Sequence, residues 1–384
     1  MRPIVAGGRA KLYDRKKPAA MSGNFEQARD FFVQGIAHYQ AGRFPQAERD
    51  FAASLSLLPG RASTLTNLGA TRLKLGKFQD AADLLQEALA QEPGNVEALG
   101  HRATALAELG EHAQALVCAE RALAVDASLA VLWTLRGNLL KELRRFDQAR
   151  ESFEKAIALG ADNELNRYFL AGLSGQPPPA SPPRDYVEGL FDSYADDFEP
   201  HLLHVLNYRA PELLIEPLAR DGRSFARALD LGCGTGLCGV LMRPLSGRLD
   251  AVDLSANMVA RSVARNVYDS VQQADLVEYL RSAARRYELV VAADVFIYVG
   301  ALEAVFAGVA QAMEKDGVFC FSVESTSDDM DYELRPSLRY AHSPGYIRKL
   351  SVQYGFEITR TSAHPIRDDQ RSPVPGWFAW LNKL

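Results

Sequence analysis

Between residues 28 and 163 the apolar positions fall at helical spacing, and the whole pattern recurs every 34 residues. The segments GRFPQAERDFAASLSLLPG, GKFQDAADLLQEALAQEPG, GEHAQALVCAERALAVDAS and RRFDQARESFEKAIALGAD align without gaps, so each unit predicts two antiparallel helices. Small residues recur where such helices must approach: Gly35, Gly69, Ala103 and Gly137 in the first helix, then Ala47, Ala81, Ala115 and Ala149 in the second. Gly42, Gly76 and Gly110 mark the turns, with Arg144 in the fourth place. Pro59 and Pro93 close two units, and Ala127 and Ala161 take that place in the others. Residues 163–173, NELNRYFLAGL, predict one more helix that caps the last apolar edge.

Past this point the pattern changes character. SGQPPPASPP, residues 174–183, holds five prolines, which excludes a helix or a central strand and predicts a semi-rigid linker. Residues 184–219 predict two or three amphipathic helices rich in aromatics. Continuous apolar runs then read as buried strands: residues 226–231, a run ending at Asp253, a short run before Asp275, a run ending at Ala293 and Asp294, and GVFCFSVES. FEITRTSA and GWFAWLNKL complete the set. Between them, GALEAVFAGVAQAME and SPGYIRKLSVQYGF predict helices, the second capped by Ser343 with Pro344 at its first position. This order predicts an all-α solenoid followed by an α/β Rossmann-like domain, a seven-stranded doubly wound sheet that binds ligands at the carboxyl ends of its strands. The predicted division is a leader over 1–23, four repeats with a capping helix over 24–173, a linker over 174–183, and an α/β domain over 184–384.

Length and composition agree with two or three globular domains: 384 residues, 47% hydrophobic and 24% charged. No apolar run approaches the roughly 20 residues of a membrane helix. Cys118, Cys233, Cys238 and Cys320 form no metal-ligand or redox spacing, so no metal is expected and the simplest setting is a reducing cytoplasm. The net charge is −5, yet residues 1–23 carry six basic side chains against Asp14, which leaves the rest of the chain at −10. An acidic body argues against nucleic acid as the main partner. The leader lacks the apolar core of a secretory signal and reads as a disordered segment ahead of a start at Met21.

The chemistry is concentrated in ALDLGCGTGLCG. Gly232, Gly234 and Gly236 alternate strictly after a buried strand, and Leu237 stands where a dinucleotide fingerprint needs its third glycine. With Asp230 ahead of them they form D-x-G-x-G-x-G, which resembles motif I of class I S-adenosylmethionine-dependent methyltransferases. The 34-residue units resemble tetratricopeptide repeats. Residues 28–384 as a whole resemble bacterial proteins that join such an array to a methyltransferase domain.

That resemblance implies S-adenosylmethionine as cofactor. It puts the glycine turn, including Cys233, against the donor, Asp253 on the ribose, Leu254 and Met258 on the adenine walls, and Asp275 at the adenine amino group. Tyr194 or Tyr208, from the helices before the first strand, would cover the methionine part. Read alone, Asp230 and Asp253 are also suited to capping helices and Met258 to ordinary core. For the acceptor the resemblance points to Asp294, with Tyr298 one turn on; Asp294 equally fits a helix cap. RYAHS supplies Arg339, Tyr340 and His342 in a long excursion between strands. There His342 is a candidate general base or a solvated surface group, and Arg339 a carboxylate clamp or a partner of the acidic stretch SDDMDYE.

Two kinds of acceptor remain open: a protein or carrier-bound group recruited by the concave face of the repeats, or a small molecule with the repeats serving assembly. A scaffold with a vestigial donor site is the third reading, disfavoured because the donor set is complete. The inward repeat positions Arg29, Tyr39, Lys74, Glu97, Glu108, Asn138, Lys141 and Glu142 are mixed in sign and show no single-charge clamp.

Overall fold

The computed structural model describes residues 19–175, 177–194, 199, 202, 206–282, 286–369 and 372–384, so most of the basic leader lies outside the described residues. The chain divides into two compact units, Met1–Asn166 and Arg167–Leu384.

In the first unit the helices form antiparallel pairs: α1 (Ala19–Gln40) with α2 (Phe44–Leu57), α3 (Ala62–Lys74) with α4 (Phe78–Gln91), α5 (Val96–Glu108) with α6 (His112–Val125), and α7 (Ala130–Glu142) with α8 (Phe146–Ala158). The recurring glycines explain the pairing. A Cβ on Gly35, Gly69 or Gly137 would come within 2.7, 2.6 and 2.7 Å of Phe51, Leu85 and Phe153, the fully buried knobs of the second helices. Burial of each knob contributes about 1.5–3 kcal/mol. Arg144 takes φ 58° where Gly42, Gly76 and Gly110 take 72–77°, so it bears a left-handed conformation at a cost of about 1–2 kcal/mol.

The division between the units falls inside α9 (Glu164–Ser174). From Arg167 onward this helix belongs to the second unit: the buried Tyr168 donates from its hydroxyl to the Leu338 carbonyl at 2.8 Å. The proline-rich segment, expected to separate two halves, also packs within the second unit. Ala180 O accepts from the N–H groups of Gly300 and Ala301 at 3.0 and 2.9 Å, and Pro179 O accepts from the Tyr340 hydroxyl at 2.9 Å. Proline removes donors but keeps acceptors, so such a segment can be tied down through its carbonyls alone. Gly300 permits the approach, since a Cβ there would lie 3.0 Å from both carbonyl oxygens.

The sheet of the second unit runs β3 (Ser270–Gln273), β2 (Ser246–Asp253), β1 (Phe225–Leu231), β4 (Tyr287–Ala292) and β5 (Met313–Ser325), all parallel. Antiparallel β9 (Ser372–Lys383) pairs with β5, and β8 (Phe356–Asp369) pairs with β9. The apolar runs are continuous because both faces are covered. Leu229, Leu231, Val290 and Phe321 pack on one side, and Ala228, Leu289, Val291 and Trp380 on the other. One feature departs from the seven-stranded expectation: the excursion holding RYAHS is a short hairpin, β6 (Tyr332–Leu334) and β7 (Tyr340–His342), whose second strand pairs with the end of β5. No described helix is long and apolar enough to cross a membrane.

Candidate active site

The carboxyl ends of β1, β2 and β4 open on a cavity of about 820 Å³. Gly232 follows β1 at φ 75°, and a Cβ there would meet Val295 at 2.6 Å, so both the backbone turn and the close packing require glycine. Gly234 follows, and Gly236 caps the helix Leu237–Met242. Asp253, at the end of β2, holds this turn: its Oδ2 accepts from Gly234 N at 2.8 Å and its Oδ1 from Ser255 N at 2.9 Å. Burial outweighs these donors and pushes its carboxyl above the usual range. Asp230 lies deeper. It accepts from the Tyr268 hydroxyl at 2.6 Å, and burial pushes its carboxyl up to about 7.

Leu254, Met258, Ala274, Leu276 and Val277 wall the same end of the cavity. Asp275 lines it while capping the helix Leu276–Ser282, since its Oδ1 accepts from Val277 N and Glu278 N at 2.9 and 3.1 Å. Its Oδ2 has no donor among the described residues. Cys233 lines the cavity as well, and burial raises its thiol well above the ordinary value.

At the other end Asp294 follows β4 at φ 58°, its N–H donating to Ser322 Oγ at 2.8 Å. Both its carboxylate oxygens accept from Arg367 Nη1, at 2.9 and 2.7 Å, while Arg367 Nη2 donates to Glu324. Burial raises the Asp294 carboxyl, and the Arg367 charge opposes that rise. Arg367 is the main residue that sequence reasoning missed. It sits at a register irregularity of β8 between Pro365 and Asp368, and such bulges re-aim a side chain in a way no alternation pattern reveals.

Tyr298 and Arg339 line this end, Tyr298 with its ring edge-on to Phe191 at 5.1 Å. Tyr208 is buried in the wall, its hydroxyl 3.4 Å from Ala293 O. Tyr194 ends α10 (Arg184–Tyr194), but its side chain lies outside the described residues. α10 contributes Asp192 instead, whose Oδ1 accepts from Ser255 Oγ at 2.5 Å behind the Asp253 loop. Ala180, Ser181 and Pro182 complete the wall from the proline-rich segment.

Two acceptor candidates point elsewhere. His342 is fully buried away from the cavity lining, its Nε2 bonded to Gly300 O at 2.8 Å and its ring stacked on Tyr346. Burial lowers its pKa to about 4, so it is a neutral packing group rather than a base. Tyr340 is equally buried, spending its hydroxyl on Pro179 O. Both lie on β7, whose three residues are all buried because the strand sits between β5 and β6 and is covered on both faces.

Residues 202–360 match the family model described as a methyltransferase domain. The second unit is a methyltransferase domain. The glycine turn, Asp253 and the apolar walls fit S-adenosylmethionine in size and chemistry. Residues 72–139 and 130–163 match models of the tetratricopeptide repeat, so this methyltransferase carries a repeat array ahead of its catalytic domain. No curated protein matches the chain. Among solved structures, the N-methyltransferase NodS from Bradyrhizobium japonicum WM9 in complex with S-adenosyl-L-homocysteine is 15% identical, covers 51% of this chain and 97% of its own, and has a TM-score of 0.41. Magnesium protoporphyrin IX methyltransferase from Synechocystis PCC 6803 is 17% identical over 52% of this chain and 99% of its own, with a TM-score of 0.42. MamA from Desulfovibrio magneticus RS-1 is 17% identical over 39% of this chain and 85% of its own, with a TM-score of 0.37.

Proposed function

We propose that the protein methylates a nucleophile held at the Asp294 end of the cavity, on an acceptor that the repeats recruit as a protein or carrier-bound group. The observation that carries the reading is the continuity of one cavity from Asp253 and Asp275 to Asp294, Tyr298 and Arg339. Its volume lies near the top of the about 300–1,000 Å³ typical of ligand pockets, which leaves room for donor and acceptor together.

S-adenosylmethionine supplies a methyl group on a positively charged sulfur. The residues of this chain bind and orient. Asp253 retains acceptor capacity for a ribose diol beyond its two backbone donors, and Asp275 Oδ2 accepts from the adenine amino group. The aromatic faces of Tyr208, Phe191 and Tyr298 favour a cation more than water-exposed polar groups would. Asp294, fixed by Arg367, aligns the nucleophile, and alignment supplies much of the acceleration of such a displacement. The repeats contribute a binding surface that raises the local concentration of a tethered acceptor.

The test compares the full chain with a fragment beginning at residue 161, which keeps α9 and the proline-rich wall, for transfer of labelled methyl groups to acceptors in a cell extract. The fragment should bind donor normally and label the natural acceptor at least about tenfold more slowly. Equal rates would exclude recruitment and favour a small-molecule acceptor, with the repeats serving assembly.

A further inference from the structure

The charged groups at the Asp294 end are unequal. Arg367 is 2% exposed and gives its terminal nitrogens to Asp294 and Glu324, while the second oxygen of Glu324 accepts from Arg335 Nη1 at 3.0 Å. These charges cancel inside the wall. Arg339 lines the same cavity with its side chain 27% exposed, and its counter-charge, Asp369, stands 3.8 Å away, beyond hydrogen-bonding distance. Among the described residues no acceptor engages the N–H groups of its guanidinium.

The backbone that presents Arg339 is unusually constrained. Leu338, buried at 2% exposure, adopts φ 62°, a genuine outlier for a branched apolar residue. Its carbonyl is held by the Tyr168 hydroxyl, and its N–H donates to Arg335 O at 2.8 Å. Arg335 N in turn donates to Arg339 O at 2.9 Å, and the Arg335 side chain is fixed by Glu324, Glu333 and Ser325 O. Gly172 of α9 closes on the turn, where a Cβ would lie 3.2 Å from Arg335 O. Strain of this kind persists only where surrounding structure imposes it, and it gathers at ligand clamps.

Resting on the donor-site reading above, we propose that Arg339 binds a carboxylate of the methyl acceptor, and that the acceptor is a carboxylic acid with an apolar body. A guanidinium fork matches the two coplanar oxygens of a carboxylate and neutralises its single charge. A phosphate dianion calls for a second cation beside Arg339; Arg367 has both terminal nitrogens engaged, and Arg184, the other arginine of the lining, stands 3.7 Å from Glu278 on the helix Leu276–Ser282. Leu190, Leu206, Ile297 and Val299, which also line the cavity, suit an apolar body.

The test titrates phenylbutyrate, hexanoate and indoleacetate, each beside its primary amide, into the full-length protein saturated with S-adenosylhomocysteine. At least one acid should bind about tenfold or more tightly than its amide, a preference that Arg339→Gln abolishes and Arg339→Lys partly restores, with S-adenosylhomocysteine affinity unchanged in both variants. Equal binding of acids and amides, no binding of any acid, or an acid preference that survives Arg339→Gln would each overturn the proposal. Failure of the wild-type protein to bind S-adenosylhomocysteine would instead overturn the donor-site reading.

Discussion

Replacing Arg367 by Met removes the cation shared by two buried carboxylates. The side chains of Asp294 and Glu324 are 10% and 3% exposed, so neither can recover its hydration when the guanidinium leaves. Breaking a buried pair by deleting one partner costs about 3–5 kcal/mol. For a unit of this size each kcal/mol lowers the melting temperature by about 2–4 °C, so the second unit should melt roughly 6–20 °C lower by calorimetry of the full chain. The pH dependence has a definite sign. Burial already raises the Asp294 carboxyl and the Arg367 charge opposes that rise, so without Arg367 its folded pKa lies further above its unfolded one and the variant loses stability as pH rises. The deficit against wild type should therefore be larger at pH 8 than at pH 5. Adding Asp294→Asn and Glu324→Gln should restore most of the loss. A drop below about 2 °C, equal at both pH values, would mean that these carboxylates are solvated rather than paired.

Asp230, pushed from the ordinary 3.8 up to about 7 by burial, has a folded pKa above its unfolded one, so stability falls as pH rises between those values and stays lowered above them; Asp230→Asn, still able to accept from Tyr268, should remove that decline and raise the melting temperature at pH 8. His342 has the opposite sign: its folded pKa of about 4 lies below the ordinary 6.5, so stability falls as pH drops through that window, and His342→Phe should remove this loss without changing donor affinity by calorimetric titration. In the repeats, Gly69→Ala would drive a Cβ into Leu85 and should destabilise the array by about 1–3 kcal/mol in denaturant unfolding, whereas the same change at exposed Gly94 should not.

The repeat array and the order of the parallel strands were legible because both depend on side-chain size and polarity at fixed spacing. Gly69 against Leu85 follows from the 34-residue period, and Leu229 beside Val290 from two continuous apolar runs. The glycine turn was legible because Gly232 must be glycine locally. The acceptor end was not. Arg367 reaches Asp294 from a strand 73 residues away through a bulge, and His342 is buried because its three-residue strand sits between β5 and β6, neither of which leaves a periodic trace. The proline-rich segment departs from expectation for a related reason: five prolines predict a semi-rigid linker between domains, but its carbonyls are what the Gly300 loop and Tyr340 hold.

Calorimetric titration of S-adenosylmethionine into the full-length protein and its Asp253→Ala variant addresses the donor site itself. Wild type should bind, and the variant should bind about ten- to a hundredfold more weakly, corresponding to about 1.5–3 kcal/mol for charge-assisted hydrogen bonds lost from the ribose. Unaltered affinity in the variant, or binding of NAD in place of S-adenosylmethionine by the wild type, would contradict the assignment of this cavity to methyl transfer.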